Sequence, residues 1–178
     1  MKKTIDCFVP FADAQQANQT VAGLKSNDFT ARIFLLKSEE SDETISGCET
    51  LKIEGLTSTA TMKAIAEAAT ADYVLLYTKY NTLKMGMFAQ ERMVKLAEDS
   101  QADMLYADHY QVVGNVKTNA PVIDYQFGSL RDDFDFGSVI LFRTSALKAA
   151  ASKMTKNYKF AGLYDLRLRL SQAGDIMH

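Results

Sequence analysis

The sequence predicts an α/β fold of three layers, with helices on both faces of a mainly parallel, mixed sheet. Three observations carry that expectation. Apolar runs of strand length recur up to Tyr106, helix-length segments separate them, and the apolar residues of those segments fall at helical spacing. Parallel neighbours need long crossover connections, and these segments supply them.

The elements follow in order. Ile5 to Phe11 is a strand broken at Pro10, which has no N–H to donate to a ladder. Ala14, Ala17, Val21 and Leu24 then share one helix face. Ala31 to Leu36 is a second strand, followed by the polar loop KSEESDETISG. Leu51 to Ile53 is a third, short strand closed by Gly55. Ser58 or Thr59 can cap the next helix, whose stripe is Met62, Ile65, Ala66 and Ala69. Tyr73 to Tyr77 reads as a buried strand, a helix is predicted from about Gly86 to Ser100, and Met104 to Tyr106 begins a fifth strand.

After Tyr110 the rhythm changes. Gly114-Asn115 between apolar residues is a turn signal. DYQFGSLRDDFDFGS has no period and reads as a polar, aromatic loop, and GSVILFR is again a strand. Leu147, Ala150, Ala151 and Met154 form another helical stripe. Leu163, Leu166, Leu170 and Ala173 share the last helix face, with Gly174 as its stop. DIMH starts a strand that the sequence end cuts off, so residues 1–178 are expected to be one domain excised from a longer chain.

Composition narrows the function. With 178 residues and a formal net charge of −2, the chain has no basic excess to attract nucleic acid. Cys7 and Cys48 show no metal or redox spacing and are expected as free thiols in a reducing compartment. The first apolar run is too short for a signal peptide and Asp6 interrupts it; no stretch approaches a membrane span. A cytoplasmic location is expected. Met85, Met87 and Met93 are expected to pack as core or interface residues.

Several segments have a recognisable order. DCFVPF is an opening strand ending near a proline, and IFLLKSEESDET a second strand with an acidic loop. ATMKAIAEAATADYVLLYTKYN joins an Ala-rich helix to an apolar strand; FGSVILFRTSAL and YDLRLRLSQAGDIMH complete the series. Over nearly the whole chain this resembles the inverting family 2 glycosyltransferases, which have the GT-A nucleotide-diphospho-sugar fold. The resemblance implies sugar transfer from a nucleotide-sugar to a carbohydrate acceptor, in a protein that can carry further domains. The alternative is a catalytically degenerate nucleotide-sugar or glycan-binding module of the same fold.

The chain departs from the family at its chemical positions. Lys37 and Ser38 stand where the resemblance places an aspartate that contacts the nucleotide base. Thr78-Lys79-Tyr80 replaces the Asp-x-Asp that holds a divalent metal, so the cofactor is left open. Gly162-Leu163 replaces the Glu-Asp pair that supplies the base, while Asp165 and Arg169 are retained. Asp165 lies about 200° further around the helix, and reads better as a first-turn acid complementing the helix dipole.

The remaining residues suggest replacements. Thr78 and Tyr80 offer only neutral oxygens, whereas Lys79 can pair with a diphosphate or be an exposed loop lysine. The loop gathers Asp124, Gln126, Arg131, Asp132, Asp133 and Asp135. Arg131 can grip phosphate or a sugar hydroxyl. Asp132 or Asp133 can serve as catalytic base or hold a metal, their mutual repulsion raising one pKa. Tyr125, Phe134 and Phe136 can stack on a sugar, or pack as core beneath a solvated loop. Asp108 and His109, at a strand's carboxyl end, can ligate a metal or form an acid–base pair. The catalytic candidates are therefore Asp132 and Asp133. Those for substrate binding are Pro10, Lys37, Lys79, Asp108, Asp124, Arg131 and Asp135. Their cleft is expected at the carboxyl ends of the strands closing at Pro10, Leu36, Tyr77 and Tyr106.

Overall fold

A computed structural model describes residues 2–38, 42–128, 130–131 and 134–178. The element order is β1 (Ile5–Pro10), α1 (Ala14–Lys25), β2 (Thr30–Lys37), β3 (Glu49–Lys52), α2 (Thr59–Ala68), β4 (Tyr73–Tyr77) and α3 (Ala89–Ser100). It continues with β5 (Met104–Tyr106), β6 (His109–Val113), β7 (Val116–Ala120), β8 (Val139–Arg143), α4 (Thr144–Ser152), α5 (Gly162–Ala173) and β9 (Ile176–Met177). Among the described residues no helix is long and apolar enough to cross a membrane.

The main sheet runs β3-β2-β1-β4-β8-β5-β9, with β6 and β7 as a separate hairpin. β1 pairs in parallel with β2 and β4, and β2 with β3. β8 runs antiparallel to both of its neighbours, β4 and β5. Alternation along the strands creates two cores. Ile5, Cys7 and Val9 face α1 and α3, together with Leu35, Leu75 and Leu141. Phe8, Leu36, Leu76 and Tyr106 face α2, α4 and α5. Phe8 stacks on its register partner Phe34 with ring centroids 4.5 Å apart.

Local chemistry sets the helix ends. Asp13 caps α1 by accepting from the Gln16 N–H at 2.8 Å, and Ser58 accepts from the Thr61 N–H at 3.1 Å, which assigns the second cap to Ser58. α3 begins at Ala89 rather than Gly86 because Phe88 is left-handed (φ 58°), so the chain turns before the helix starts. Met87 is thereby 83% exposed, not packed. Ala14 and Ala173 also lie outside the buried stripes predicted for them; Gln16, Thr20 and Ser171 are buried instead. Gln16 and Thr20 tolerate burial because they are hydrogen-bonded, Gln16 to Asn81 O and Thr20 to the Leu83 N–H.

Two glycines are required by close approach. Gly174 does end α5, but in extended backbone, and its missing Cβ makes room for the Asp103 carboxylate. Gly162 begins α5 against the start of α2. A Cβ there would overlap the backbone of Ser58 and Thr59, while Leu163 N–H donates to Thr57 O across the same seam at 3.0 Å.

At the amino end of the sheet Asp6 is fully buried. Its oxygens accept from Arg32 at 3.1 and 2.7 Å and from the N–H groups of Thr70 and Ala71 at 2.8 and 3.0 Å. Burial pushes the Asp6 carboxyl up, but the Arg32 and backbone donors outweigh it and hold the pKa below the ordinary value. The network ties β1, β2 and the turn into β4 together.

Candidate functional site

The strand order reverses between β1 and β4, the place where open α/β sheets leave a crevice beyond their carboxyl ends. Pro10 closes β1 there and Tyr77 closes β4. The loop after β4 is tied to α1: Gln16 Nε2 donates to Asn81 O at 3.1 Å and the Leu83 N–H to Thr20 Oγ1 at 3.1 Å. A shallow concavity of about 280 Å³ remains, with Asp13, Gln16, Tyr80 and Asn81 in its lining. Asp13 already supplies the negative group that the amino end of α1 favours. Lys79 and Tyr80 are exposed, and Thr78 Oγ1 donates to Ser138 O at 3.1 Å. This triplet does not fit a divalent metal. Among the described residues no group of three His, Cys, Asp or Glu side chains could hold one.

Lys37 ends β2 on the α1 face of the sheet. It is only 1% exposed, and its Nζ lies 4.3 Å from the Phe11 ring centroid with no hydrogen-bond partner among the described residues. The alternation that points Ile33 and Leu35 into the core carries Lys37 inward too.

The polar, aromatic loop folds back over the carboxyl edge. The Val122 N–H donates to Asp108 Oδ1 at 2.8 Å and Tyr106 Oη to Ile123 O at 2.6 Å. At its far end the Gly137 N–H donates to Asp135 Oδ1 at 2.7 Å, with Gly137 at φ +70° and close against Ala107 O. An open cleft of about 650 Å³ results, lined in part by Asp124, Gln126, Arg131, Phe134 and Asp135. Asp132 and Asp133, the catalytic candidates, lie outside the described residues. Phe136 is 1% exposed and belongs to the core, so it does not offer a face to a sugar. Phe134 and Tyr125, partly buried, pack around it, with Phe134 at 4.5 Å between centroids.

Asp108 has an imidazole partner, but it is His178 and not His109. His178 Nε2 lies 3.2 Å from Asp108 Oδ1 and Nδ1 2.8 Å from Asp124 Oδ1, while its ring stacks on Tyr106 at 5.1 Å. The Val122 N–H, with His178 beside it, holds the Asp108 carboxyl below its ordinary value. The two carboxylates engage opposite edges of one ring, so they do not converge on a single point where an ion would sit. His109 Nδ1 is buried without a partner among the described residues.

Of the sequence-derived candidates, Asp108, Asp124, Arg131 and Asp135 gather around the loop cleft. Pro10, Lys37 and Lys79 lie toward β1, β2 and β4. Sequence reasoning missed His178, whose partners are 54 and 70 residues away, and Arg167, discussed below.

No family model matches the chain, and no curated protein matches it in sequence. Solved structures do. The chain is similar to 2-C-methyl-D-erythritol 4-phosphate cytidylyltransferase from Thermus thermophilus, at TM-score 0.58 and 15% identity, over 96% of this chain and 85% of that one. It is similar to TarS residues 1–349 from S. aureus at TM-score 0.60 and 13% identity, over 82% of this chain and 48% of that one, so it spans about half of that structure. A CMP:2-keto-3-deoxy-manno-octonic acid synthetase complexed with CTP aligns at TM-score 0.52 and 10% identity, over 99% of this chain and 88% of that one. The fold is that of the nucleotide-diphospho-sugar transferases. Within this fold, the seven-stranded mixed sheet presents the β1/β4 crevice and the loop cleft on the same carboxyl edge.

Proposed function

We propose that the domain binds a nucleotide-sugar across this edge and transfers the sugar to a carbohydrate acceptor. One observation carries the reading: the loop closes over the carboxyl ends of the strands and sets Arg131, Asp124 and Asp135 around an open cleft. β1 and β5 are three strand spacings apart in the sheet, about 14 Å, which suits an extended nucleotide-sugar better than a compact ligand. The nucleoside end belongs at the β1/β4 crevice near Pro10, Lys37 and Lys79. The diphosphate and sugar extend toward Arg131, whose planar fork matches paired phosphate oxygens. Proton removal from the acceptor falls to a loop carboxylate, Asp132 or Asp133, since Leu163 has nothing to accept a proton. The nucleotide-handling names of the structural neighbours support the substrate class.

A second reading, a binding module without catalysis, is favoured by Thr78-Lys79-Tyr80 and by Gly162-Leu163. Titration calorimetry with uridine, guanosine, deoxythymidine and cytidine diphosphates, with and without manganese, tests the shared step. Binding without metal is expected. A nucleotide response that requires manganese contradicts the reading of the Thr78-Lys79-Tyr80 end, and silence with every nucleotide sinks the proposal. Arg131→Ala is expected to abolish nucleotide binding with the melting temperature nearly unchanged. Loss on Lys79→Ala but not on Arg131→Ala would move the diphosphate to the β4 end. A turnover assay with the matching nucleotide-sugars separates transfer from binding alone.

A further inference from the structure

The chain treats its partly buried arginines in two ways. Arg32 is matched by Asp6, Arg143 by Glu98 and by Ala97 O at 2.7 Å, and Arg169 by Asp165 at 3.1 Å. Arg167, two positions before Arg169 on α5, has no such match among the described residues. Its Nε is buried without a hydrogen-bond partner, and its guanidinium carbon lies 4.8 Å from the centroid of the Phe136 ring. The Asp135 charge acts on it favourably, but no ion pair within 4.0 Å forms between them. Burial pulls its pKa down to about 10, so the group is still a cation at neutral pH.

A guanidinium has five donors and no acceptor, and leaving the buried Nε–H unmatched is costly. Stacking on Phe136 recovers part of that cost through cation–π attraction. Phe134 and Asp135, immediately before Phe136, line the loop cleft, so the ring that Arg167 stacks on adjoins the cleft wall in sequence, and the charge of the wall residue Asp135 acts on Arg167. α5 also points its amino end to the same carboxyl edge, since it leads into β9, parallel to β5. Asp165, in the first turn, already complements the dipole of that end.

We propose that Arg167 is an oxyanion-binding residue of the cleft, receiving a phosphate or carboxylate carried by a substrate. This rests on the reading of the cleft as the transfer site. Two sources share that chemistry: the diphosphate of the donor, and an acidic group on the acceptor. The bound oxyanion takes the place that a structural carboxylate fills for Arg32, Arg143 and Arg169, and the fork presents paired donors to paired oxygens.

The test is calorimetry on the full chain with inorganic pyrophosphate, the nucleoside diphosphates above, and glucose 6-phosphate with glucose as its neutral control. Arg167→Met keeps length and apolar contact with Phe136 but removes the donors; Arg167→Lys keeps the charge without the fork. Arg167→Met is expected to weaken pyrophosphate binding roughly tenfold to a hundredfold, to leave any glucose binding alone, and not to lower the melting temperature. Arg167→Lys should recover part of the loss. A matching loss with the nucleoside diphosphates assigns the anion to the donor, and a matching loss with glucose 6-phosphate assigns it to the acceptor. Unchanged anion binding in Arg167→Met, or a fall in melting temperature with binding intact, makes Arg167 a structural prop and overturns the proposal. Nucleotide binding that survives in every Arg167 variant leaves the transfer site standing without Arg167. Failure of the unaltered chain to bind any anion overturns both.

Discussion

Replacing Asp6 by Ala should lower the stability of the domain by about 3–5 kcal/mol, because removing one member of a buried ion pair strands its partners. Arg32 is partly exposed and can recover water, but the N–H groups of Thr70 and Ala71 lose their acceptor in the interior. For a chain of this size each kcal/mol moves the melting temperature by roughly 2–4 °C. A drop of more than about 5 °C is expected by differential scanning calorimetry. The pH dependence gives an independent check. A carboxyl whose folded pKa is depressed stabilises fully above its unfolded value, 3.8, and loses that contribution as pH falls through the lower folded value. The stability difference between the unaltered chain and Asp6→Asn should therefore be constant above about pH 5 and shrink in acid. A difference that persists unchanged to about pH 2 would show that the carboxylate charge is not what the network needs.

Lys37→Met should act in the opposite direction and raise stability. The ammonium is buried against Phe11 with no hydrogen-bond acceptor among the described residues, and a methionine of similar length fills the space without a charge. Losing the cation–π contact offsets some of the gain. A net stabilisation of about 1–3 kcal/mol is expected, read as a higher melting temperature. Nucleotide affinity should fall in the same variant if the lysine is kept for a ligand. A less stable Lys37→Met protein would instead mark the ammonium as a structural element.

The layered architecture was legible in the sequence because its signals are local. YVLLY is an unbroken run of apolar and aromatic side chains on both faces, and the stripes on α2 and α4 need only one turn of helix to be seen. The antiparallel course of β8 was not legible, since alternation along a strand does not depend on its direction. The loop at 124–138 was recognisable as a concentration of polar and aromatic residues, but its composition does not say which rings turn inward. Phe136 went to the core, while Phe127 in the same loop stayed 82% exposed. The pairing of Asp108 with His178 in place of its neighbour His109 depends on β9 docking beside β5, a tertiary event with no local trace. Arg167 looked like any helical arginine until its missing partner could be seen.

Gly162 has a bearing on where a catalytic base can be placed. It stands where the resemblance places the Glu of the catalytic Glu-Asp pair, and the following Leu163 is buried in the core beneath α2 and α5. The α2 and α5 backbones approach to a separation that admits no side chain at Gly162. A mutation introducing Glu there, or Asp at Leu163, would meet a packed wall and an apolar interior instead of a cleft. With the seam this tight, placing a carboxylate at either position costs stability before it can supply a base. On the transfer reading the base has to come from the loop, because the α2/α5 seam has no room for one.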